Sequence, residues 1–214
     1  MPNLDVQLDS LSDRAAYRLV SSLVIPRPIA WVSTLDLAGV RNLAPHSFFN
    51  MASATPPIVH FSSAGYRTDG EPKDSLRNAR DSGEFVINIV DSEHLLAMNI
   101  SSADFPTAED EFHWAGLESE PSLLLRTPRV RGAVAALGCQ VETIIEIGEG
   151  HIVFGRVVEV HVAERAWGSG RVNPVALDPL ARLGGSSYTR LGEIFDLRRP
   201  TWAELQKNPE SVVQ

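Results

Sequence analysis

The amino-acid sequence predicts a mainly β protein with peripheral helices, in which the strands form a curved antiparallel sheet or barrel. Two long segments, 139–147 and 151–162, alternate between apolar and polar residues, and Gly148-Glu149-Gly150 between them is typical of a hairpin turn. Strand and helix segments do not alternate regularly along the chain, which argues against a doubly wound parallel sheet. The 214 residues contain no repeat and no long linker, so we expect a single domain over 1–214.

The same alternation predicts which side chains of the two long strands are buried. Every second residue from Cys139 to Ile147 is expected to lie on one face of the first strand. In the second strand we expect one shared face from Ile152 to Val162, interrupted at Arg156. Cys139 is therefore expected to be a small buried side chain rather than a reactive thiol.

Shorter elements are predicted from caps, prolines and local periodicity. In chain order they are a helix after Ser12 or Asp13, extended segments 29–34, 40–45 and 58–62, a helix capped by Asp74 or Ser75 and ended by Gly83, a strand over 85–90, a short helix from Glu93 to about Ile100, and a last helix with a Thr201–Glu204 capping box. Each of these helices is short and lies between or beside strands, so we place the helices at the periphery of the sheet.

Composition excludes several classes of partner. Apolar residues make up 43% of the chain and charged residues 21%, which are values of a globular and not of a disordered protein. The net charge of −8 disfavours nucleic acid and anionic membrane surfaces as partners. The N-terminal residues lack a signal-peptide pattern, and no apolar run reaches the ~20 residues of a membrane helix, so we expect a cytoplasmic protein.

Metal and disulfide chemistry are also disfavoured by the sequence. The single cysteine, Cys139, allows neither an internal disulfide nor a thiolate cluster. None of the six histidines is paired with another at helical ligand spacing beside a carboxylate, so we expect no metal site.

A lysine immediately before a predicted helix marks the first candidate site. Lys73 and Lys207 are the only lysines, and the other 17 basic residues are arginines. The Lys73 ammonium, the Ser75 hydroxyl and the free backbone N–H groups of a first turn that includes Asp74 are able to converge on one phosphate. The alternative is an ordinary helix cap beside a solvated lysine.

Two adjacent aromatic residues among polar ones mark the second candidate, Ser47-Phe48-Phe49-Asn50. Neighbouring strand residues point to opposite faces, so Phe48 and Phe49 cannot both enter a one-sided core. One ring must then pack on a second layer, a subunit or a ligand, and Ser47 and Asn50 offer hydrogen bonds to a planar heterocycle. The alternative is a bulged strand with both rings in packed clusters.

A third segment ends in Ser33 and Thr34, whose hydroxyls at a strand end are equally typical of a turn. Read together, the stretches PRPIAWVST, NLAPHSFFN, PPIVHFS, KDSLRN, GEFVIN and RLGGSSY resemble the flavin reductase-like family with the FMN-binding split-barrel fold, and its flavoredoxin branch in particular. The resemblance covers about 15–200, which we take as the core of the domain.

The resemblance implies a homodimer of split barrels that binds FMN non-covalently near the dimer interface. It also implies a role for ten residues. Ser33 and Thr34 would lie beside the ribityl–phosphate end of FMN, and Ser47, Phe48, Phe49 and Asn50 beside the isoalloxazine. Lys73, Asp74 and Ser75 would surround the phosphate, and Tyr188 would lie near the site, supplied by this chain or by the partner chain.

The resemblance implies an NAD(P)H-dependent oxidoreductase that reduces flavin or a related acceptor such as a ferric chelate. No catalytic side chain is predicted, because hydride transfer to a flavin requires no general base. The alternatives are a non-catalytic FMN electron carrier and a split-barrel interaction protein without flavin, and the intact Lys73 segment disfavours the last.

Overall fold

The computed structural model describes residues 4–207, which form six α-helices and fourteen strands. The helices are α1 (Asp13–Leu23), α2 (Asp74–Ser82), α3 (Leu95–Ile100), α4 (Glu111–Trp114), α5 (Pro174–Leu177) and α6 (Trp202–Lys207). The strands are β1 (Arg27–Pro28), β2 (Ala30–Leu35), β3 (Arg41–His46), β4 (Phe49–Ala54), β5 (Pro57–Ala64), β6 (Glu84–Ile89), β7 (Ser119–Glu120), β8 (Arg129–Val130), β9 (Ala135–Ile147), β10 (Gly150–Val162), β11 (Trp167–Gly168), β12 (Arg171–Val172), β13 (Ala181–Arg182) and β14 (Tyr188–Thr189).

Seven of these strands form one antiparallel sheet in the order β3-β2-β6-β9-β10-β5-β4. Strands β3 and β4 lie at opposite edges of the sheet, yet only Ser47 and Phe48 separate them in the chain. The sheet must therefore curl until its edges approach each other. At this seam Nδ1 of His46, at the end of β3, lies 3.2 Å from the Ser62 carbonyl oxygen of β5. The structure thus confirms the mainly β fold with peripheral helices, and a curled sheet whose edge strands are not paired is a split barrel.

The interior of the curled sheet is the main core. Phe61 and Phe85 pack edge to face there, with ring centroids 5.2 Å apart, and Leu76 and Ala79 of α2 close one side of it. A second cluster on the outer side of β2 contains Trp31, Leu43, Met98 and Phe112. Both faces of β2 are consequently buried, which explains its nearly continuous apolar sequence.

Register shifts in the β9–β10 hairpin correct the predicted strand faces. The ladder shifts between Phe154 and Gly155 and again between Val157 and Glu159. As a result Ile144 packs on the core beside Cys139, whereas Ile147 is 63% exposed. The prediction of one apolar face from Cys139 to Ile147 was therefore wrong beyond the first bulge, because one extra residue reverses the side-chain parity.

The ends of the helices show which local signals were reliable. Ser12 caps α1 by accepting from the Ala15 N–H at 3.4 Å. Gly83 ends α2 with a φ of +74°, a conformation that favours glycine. Asp74 and Ser75 were the predicted caps of α2, but the helix begins at Asp74 with Lys73 in the cap position and no side-chain cap bond. This correction moves the lysine to the very start of the helix.

The Thr201–Glu204 capping box of α6 is confirmed. The Thr201 N–H donates to the Glu204 carboxylate at 2.8 Å, and the Glu204 N–H donates to the Thr201 hydroxyl at 3.3 Å. Within residues 4–207, no helix has the length and apolar character needed to span a bilayer.

Candidate functional site

Two neighbouring cavities open where the edges of the sheet meet, and together we call them the cleft. The larger cavity has a volume of about 680 Å³ and the smaller cavity about 300 Å³. Pro45 and Ser102 belong to the walls of both cavities, so the two are contiguous. Volumes of this size are typical of small-molecule and cofactor sites.

The smaller cavity lies at the N-terminal end of α2. The first backbone donors inside the helix are the N–H groups of Leu76 and Arg77, which both bond to the Lys73 carbonyl at 3.0 Å. The N–H groups of Asp74 and Ser75 make no hydrogen bond to any residue from 4 to 207. With the helix dipole and the Lys73 side chain in the same wall, this end of the cleft is suited to an anion.

The Asp74 carboxylate is already engaged within the protein. It forms ion pairs with Arg67 and, at 2.5 Å, with Arg77. Arg67 lines the smaller cavity and also donates to the Phe105 carbonyl at 3.2 Å. Asp74 therefore fixes a cation in the cavity wall, and only its backbone N–H is available to an anionic ligand.

The buried Ser75 hydroxyl is held by a histidine. His46 Nε2 lies 2.9 Å from Ser75 Oγ, and His46 Nδ1 lies 3.2 Å from the Ser62 carbonyl oxygen. Because a carbonyl only accepts, Nδ1 carries the proton and Nε2 accepts from the Ser75 O–H. Burial, and then the positive charge of Lys73, lower the pKa of His46 to about 4, so the ring is neutral near pH 7.

A buried carboxylate forms the opposite wall of the smaller cavity. Glu111 accepts from Asn42 Nδ2 at 2.8 Å and from the Leu43 N–H at 3.0 Å. Burial is the main cause that raises the pKa of Glu111 to about 7. Further hydrogen bonds extend inward from Asn42. The Thr34 hydroxyl donates to Asn42 Oδ1 at 3.2 Å and accepts from Asn78 Nδ2 at 3.1 Å. This hydrogen-bond network joins α2, β2, β3 and α4.

Ser33 and Thr34 face opposite sides of β2. The Ser33 hydroxyl donates to the Pro128 carbonyl at 2.7 Å and accepts from Asn88 Nδ2 at 3.2 Å. Both side chains are fully buried, and neither lines the cleft. In this structure their hydroxyls support the strands, and their predicted contact with a ligand stays a prediction.

The larger cavity is bounded by α1, by the link between β3 and β4, and by the turn between β13 and β14. Its wall includes Ser47 and Tyr188, both predicted, and the arginines Arg18, Arg27 and Arg182. Tyr188 belongs here to the same chain as the rest of the wall. Its hydroxyl accepts from Arg182, whose guanidinium carbon lies 4.4 Å from the centroid of the tyrosine ring.

Arg27 is buried beneath the larger cavity, with 7% of the residue exposed. Its guanidinium donates to the carbonyls of Ser21, Val24 at 2.8 Å and Leu183 at 2.9 Å. These bonds tie the end of α1 to the β13–β14 turn. In the sequence this arginine lies within the PRPIAWVST stretch, and no role was predicted for it.

Phe48, Phe49 and Asn50 lie beside the cleft and not in its walls. Phe49 packs on the core, whereas the Phe48 ring lies 5.6 Å from the Arg27 guanidinium, so the two rings point to opposite sides as expected. The Asn50 side chain accepts from the Met51 N–H at 2.8 Å. The structure thus brings five of the ten predicted residues into the cleft: Ser47, Lys73, Asp74, Ser75 and Tyr188.

The main residues that sequence reasoning missed are charged or titratable. His46 lay inside the NLAPHSFFN stretch and Arg182 opens the RLGGSSY stretch, so both had a local signal. Arg18, Arg67 and Arg182 come from three separate regions of the chain, and no motif connects them. Only the folded chain shows that they line one cleft.

Comparison with known proteins shows the family of this chain. A family model described as a flavin reductase like domain matches residues 21–179. An uncharacterised protein of Halalkalibacterium halodurans is 42% identical over 199 residues, which is 90% of this chain and 95% of that protein.

Two solved structures share the fold. The crystal structure of nitrilotriacetate monooxygenase component B from Bacillus cereus superposes with a TM-score of 0.88 at 35% identity, covering 92% of this chain and 100% of that one. Flavoredoxin of Desulfovibrio vulgaris superposes with a TM-score of 0.72 at 20% identity, covering 81% of this chain and 91% of that one, and shows likeness of fold alone.

Proposed function

The chain belongs to the family of flavin reductase-like domains, and from that premise we propose that it is a flavoprotein oxidoreductase that binds FMN non-covalently in the cleft. The observation that carries the proposal is that Lys73 and the start of α2 line a cavity that adjoins a larger one. FMN has the same two parts, because its phosphate and its planar ring are joined by a flexible ribityl chain.

The residues of the smaller cavity fit a phosphate group. Lys73 supplies a positive charge, and the N–H groups of Asp74 and Ser75 supply unused donors at the start of α2. Arg67 adds a second cation whose position is set by Asp74. We propose that these four residues bind the phosphate, with Ser75 contributing its backbone more than its hydroxyl.

The residues of the larger cavity fit a planar heterocycle. Ser47 and Tyr188 provide polar groups in a wall that also contains Ile29 and Met98. The exposed Phe48 ring lies beside this wall, 5.6 Å from the Arg27 guanidinium. We propose that the remaining predicted residues, Ser33, Thr34, Phe49 and Asn50, act on the cofactor through backbone groups or by packing under the cleft.

Bound FMN would supply a ring that accepts a hydride and passes on one or two electrons. The chain's part is to bind the phosphate, orient the ring and leave one ring face accessible to a second reactant. We propose NADH or NADPH as the electron donor and a free flavin or a ferric chelate as the acceptor. No side chain has to act as general base, so we assign no catalytic residue.

A second candidate is a non-catalytic electron carrier that binds FMN without an efficient nicotinamide site. The fold shared with flavoredoxin favours it. The large volume beside the anion site favours the reductase, because a carrier needs only an exposed edge of its cofactor.

We also propose that the chain is a single domain, that it is cytoplasmic and that it functions as a homodimer. Exposed apolar side chains support the dimer, among them Leu197 at 88% and Ile147 at 63% exposure. Sedimentation of the FMN-loaded protein at micromolar concentration measures this directly, and a monomer with FMN still bound would contradict it.

Anaerobic reduction tests the function. The purified protein mixed with FMN is expected to show flavin absorption and quenched flavin fluorescence, and NADH or NADPH is expected to bleach the absorption under argon. Failure to bind FMN at tens of micromolar removes the proposal. If FMN binds and dithionite bleaches it at once, but neither nicotinamide does so within minutes, the carrier replaces the reductase.

A further inference from the structure

On the premise of the proposed function, we infer that Glu111 binds the phosphate of FMN through a proton that the carboxyl group and the phosphate share. The smaller cavity would then select a phosphate that can carry a proton, which means a monoester or inorganic phosphate, over sulfate and over phosphodiesters. The inference rests on the position, the burial and the hydrogen bonds of Glu111 in the wall of the smaller cavity.

The smaller cavity places one buried carboxyl group among the groups that attract an anion. Glu111 lines the same cavity as Lys73 and the start of α2, Asp74 and Ser75. Only 6% of Glu111 is exposed, so little water screens its charge. An ionised Glu111 and a phosphate dianion in this cavity would repel each other, and a shared proton replaces that repulsion with a strong hydrogen bond.

The hydrogen bonds of Glu111 leave room for this proton. Oε1 accepts from Asn42 Nδ2 at 2.8 Å, and Oε2 accepts from the Leu43 N–H at 3.0 Å. A carboxylate has about four lone-pair positions, so each oxygen keeps an unused one. Both partner atoms only donate, and neither is able to accept a proton from Glu111. A proton on Glu111 therefore needs an acceptor in the cavity, and a phosphate oxygen is one.

No cation holds Glu111 in its ionised form. Within residues 4–207 Glu111 forms no ion pair, and two cations around it are engaged by other acids. Arg41, next to Asn42 on β3, pairs with Asp110 at 2.5 Å. Arg67, in the wall of the cavity, pairs with Asp74. A buried carboxylate without a counter-ion is costly, which favours the protonated form.

The ordinary titration ranges of the two groups meet. Burial is the main cause that raises the pKa of Glu111 to about 7, the hydrogen bonds to Glu111 oppose this rise, and the negative charge of Asp74 adds to it. A phosphate monoester loses its second proton near pH ~6. Near pH 7 a complex of the two groups can therefore hold one proton at small cost.

The other ionisable groups around Glu111 do not supply this proton. His46 in the same wall has a pKa of about 4, because of burial and of the charge of Lys73, and stays neutral above pH 6. Asp104 and Tyr66 also line the cavity but are exposed to solvent. His113, on α4 itself, is exposed and does not line the cavity.

The test is the pH dependence of FMN affinity, with riboflavin as the ligand that lacks the phosphate. Above pH 7 both free Glu111 and free FMN have lost the proton that the complex holds, so binding must take one up. We expect the FMN dissociation constant to rise about tenfold from pH 7 to 8.5. The riboflavin dissociation constant is expected to change less than about twofold. Fluorescence titrations at each pH measure both.

Glu111→Gln keeps the shape of the side chain and cannot exchange the proton. Its FMN affinity is expected to be independent of pH over the same range. Glu118→Gln is the matched control, because Glu118 is exposed, pairs with Arg131 and does not line the cavity. This control is expected to keep the wild-type pH dependence.

Competition against FMN at pH 7 tests the selectivity, with inorganic phosphate and sulfate as the probes. Sulfate carries no proton at this pH, so we expect phosphate to compete about tenfold better in wild type and no better in Glu111→Gln. Calorimetry of FMN binding at pH 8 in two buffers of different ionisation enthalpy counts the protons taken up. Uptake of about one proton by wild type is expected. This count needs no variant and decides the matter even if Glu111→Gln does not fold.

Four results overturn the inference: a wild-type FMN affinity that is constant from pH 7 to 8.5, a Glu111→Gln variant that keeps the wild-type pH dependence, a Glu118→Gln control that loses it, or sulfate that competes as well as phosphate. Wild-type protein that does not bind FMN at tens of micromolar defeats the proposed function. Protein that binds FMN without taking up a proton defeats this inference alone.

Discussion

The two cavities of the cleft are neighbours, yet the side chains in their walls are held differently. In the smaller cavity three polar side chains are bonded within the protein: Arg67 is paired with Asp74, Ser75 is bonded to His46, and Glu111 accepts two hydrogen bonds. The Lys73 ammonium and the N–H groups of Asp74 and Ser75 in the same wall have no partner within residues 4–207. In the larger cavity the cations Arg18 and Arg182 have no acidic partner within residues 4–207.

This difference shows which side chains of the cleft are fixed by bonds within the protein. The internal bonds of the smaller cavity organise the start of α2, so that little ordering would remain to be done if an anion binds there. Arg18 in the wall of the larger cavity is exposed to solvent and is held by no hydrogen bond or ion pair of the described residues. The four predictions that follow test this contrast.

The largest effect is expected from Arg27→Ala. The substitution leaves one buried carbonyl and two partly buried carbonyls without their charged donor, which we expect to lower the free energy of unfolding by about 4 kcal/mol. Arg18→Ala, in the same cavity wall, is expected to change it by less than about 0.5 kcal/mol. Urea denaturation of both variants measures the difference, and similar losses would show that the two arginines do not differ in role.

A second prediction concerns two titrating groups in the smaller cavity. The folded-state pKa of His46, about 4, lies below its ordinary 6.5, so the unfolded chain takes up that proton first and stability falls as pH drops from 6.5 to 4. The folded-state pKa of Glu111, about 7, lies above its ordinary 4.5, so stability rises as pH drops from 7 to 4.5. The two contributions therefore oppose each other.

Glu111→Gln removes one side of this balance. As pH falls from 7 to 4.5, the free energy of unfolding of the variant is expected to decrease by about 3 kcal/mol relative to that of wild type, at about 1.36 kcal/mol per pKa unit. Urea denaturation at the two pH values checks it. The exposed Glu118, paired with Arg131, is the control, and Glu118→Gln should follow the wild-type pH dependence. If the stability of Glu111→Gln changes with pH as that of wild type does, Glu111 does not titrate in this range.

A third prediction separates the anion site from a simple helix cap. Lys73→Ala is expected to weaken FMN binding by about 2 kcal/mol and to leave riboflavin binding unchanged, because only FMN carries the phosphate. Lys207→Ala is the matched control, since the other lysine lies exposed at the end of α6. Fluorescence titration measures both. Equal wild-type affinities for FMN and riboflavin would mean that Lys73 is only a solvated cap residue.

The smallest effect on FMN binding is expected from Ser75→Ala. Its hydroxyl donates to His46, so the substitution is expected to cost less than about 1 kcal/mol of FMN affinity. The same fluorescence titration compares it directly with Lys73→Ala. A loss as large as that of Lys73→Ala would mean that the hydroxyl turns away from His46 and bonds the ligand.

Sequence reasoning succeeded where a signal depends on a few neighbouring residues. The Ser12 cap, the Gly83 stop and the Thr201–Glu204 box are all read from side chains within one turn of helix. It failed in the β9–β10 hairpin, because the prediction assigned every second residue to one face, and each bulge inserts an extra residue that reverses this assignment. A bulge reflects packing against other strands, here the Phe85 ring, which leaves no room for a side chain at Gly155.

The sequence by itself determined the mainly β fold, the family and the lysine at the start of a helix, since these depend on local patterns and on motifs that stand in one stretch of chain. Only the tertiary structure decided that Arg18, Arg27 and Arg182 share a cavity, and that Ser33 and Thr34 are turned away from it. The physical reason is the curl of the sheet. It closes β3 against β4 and β5, and it brings α1 to the β13–β14 turn across more than 150 residues, a proximity that no local pattern encodes.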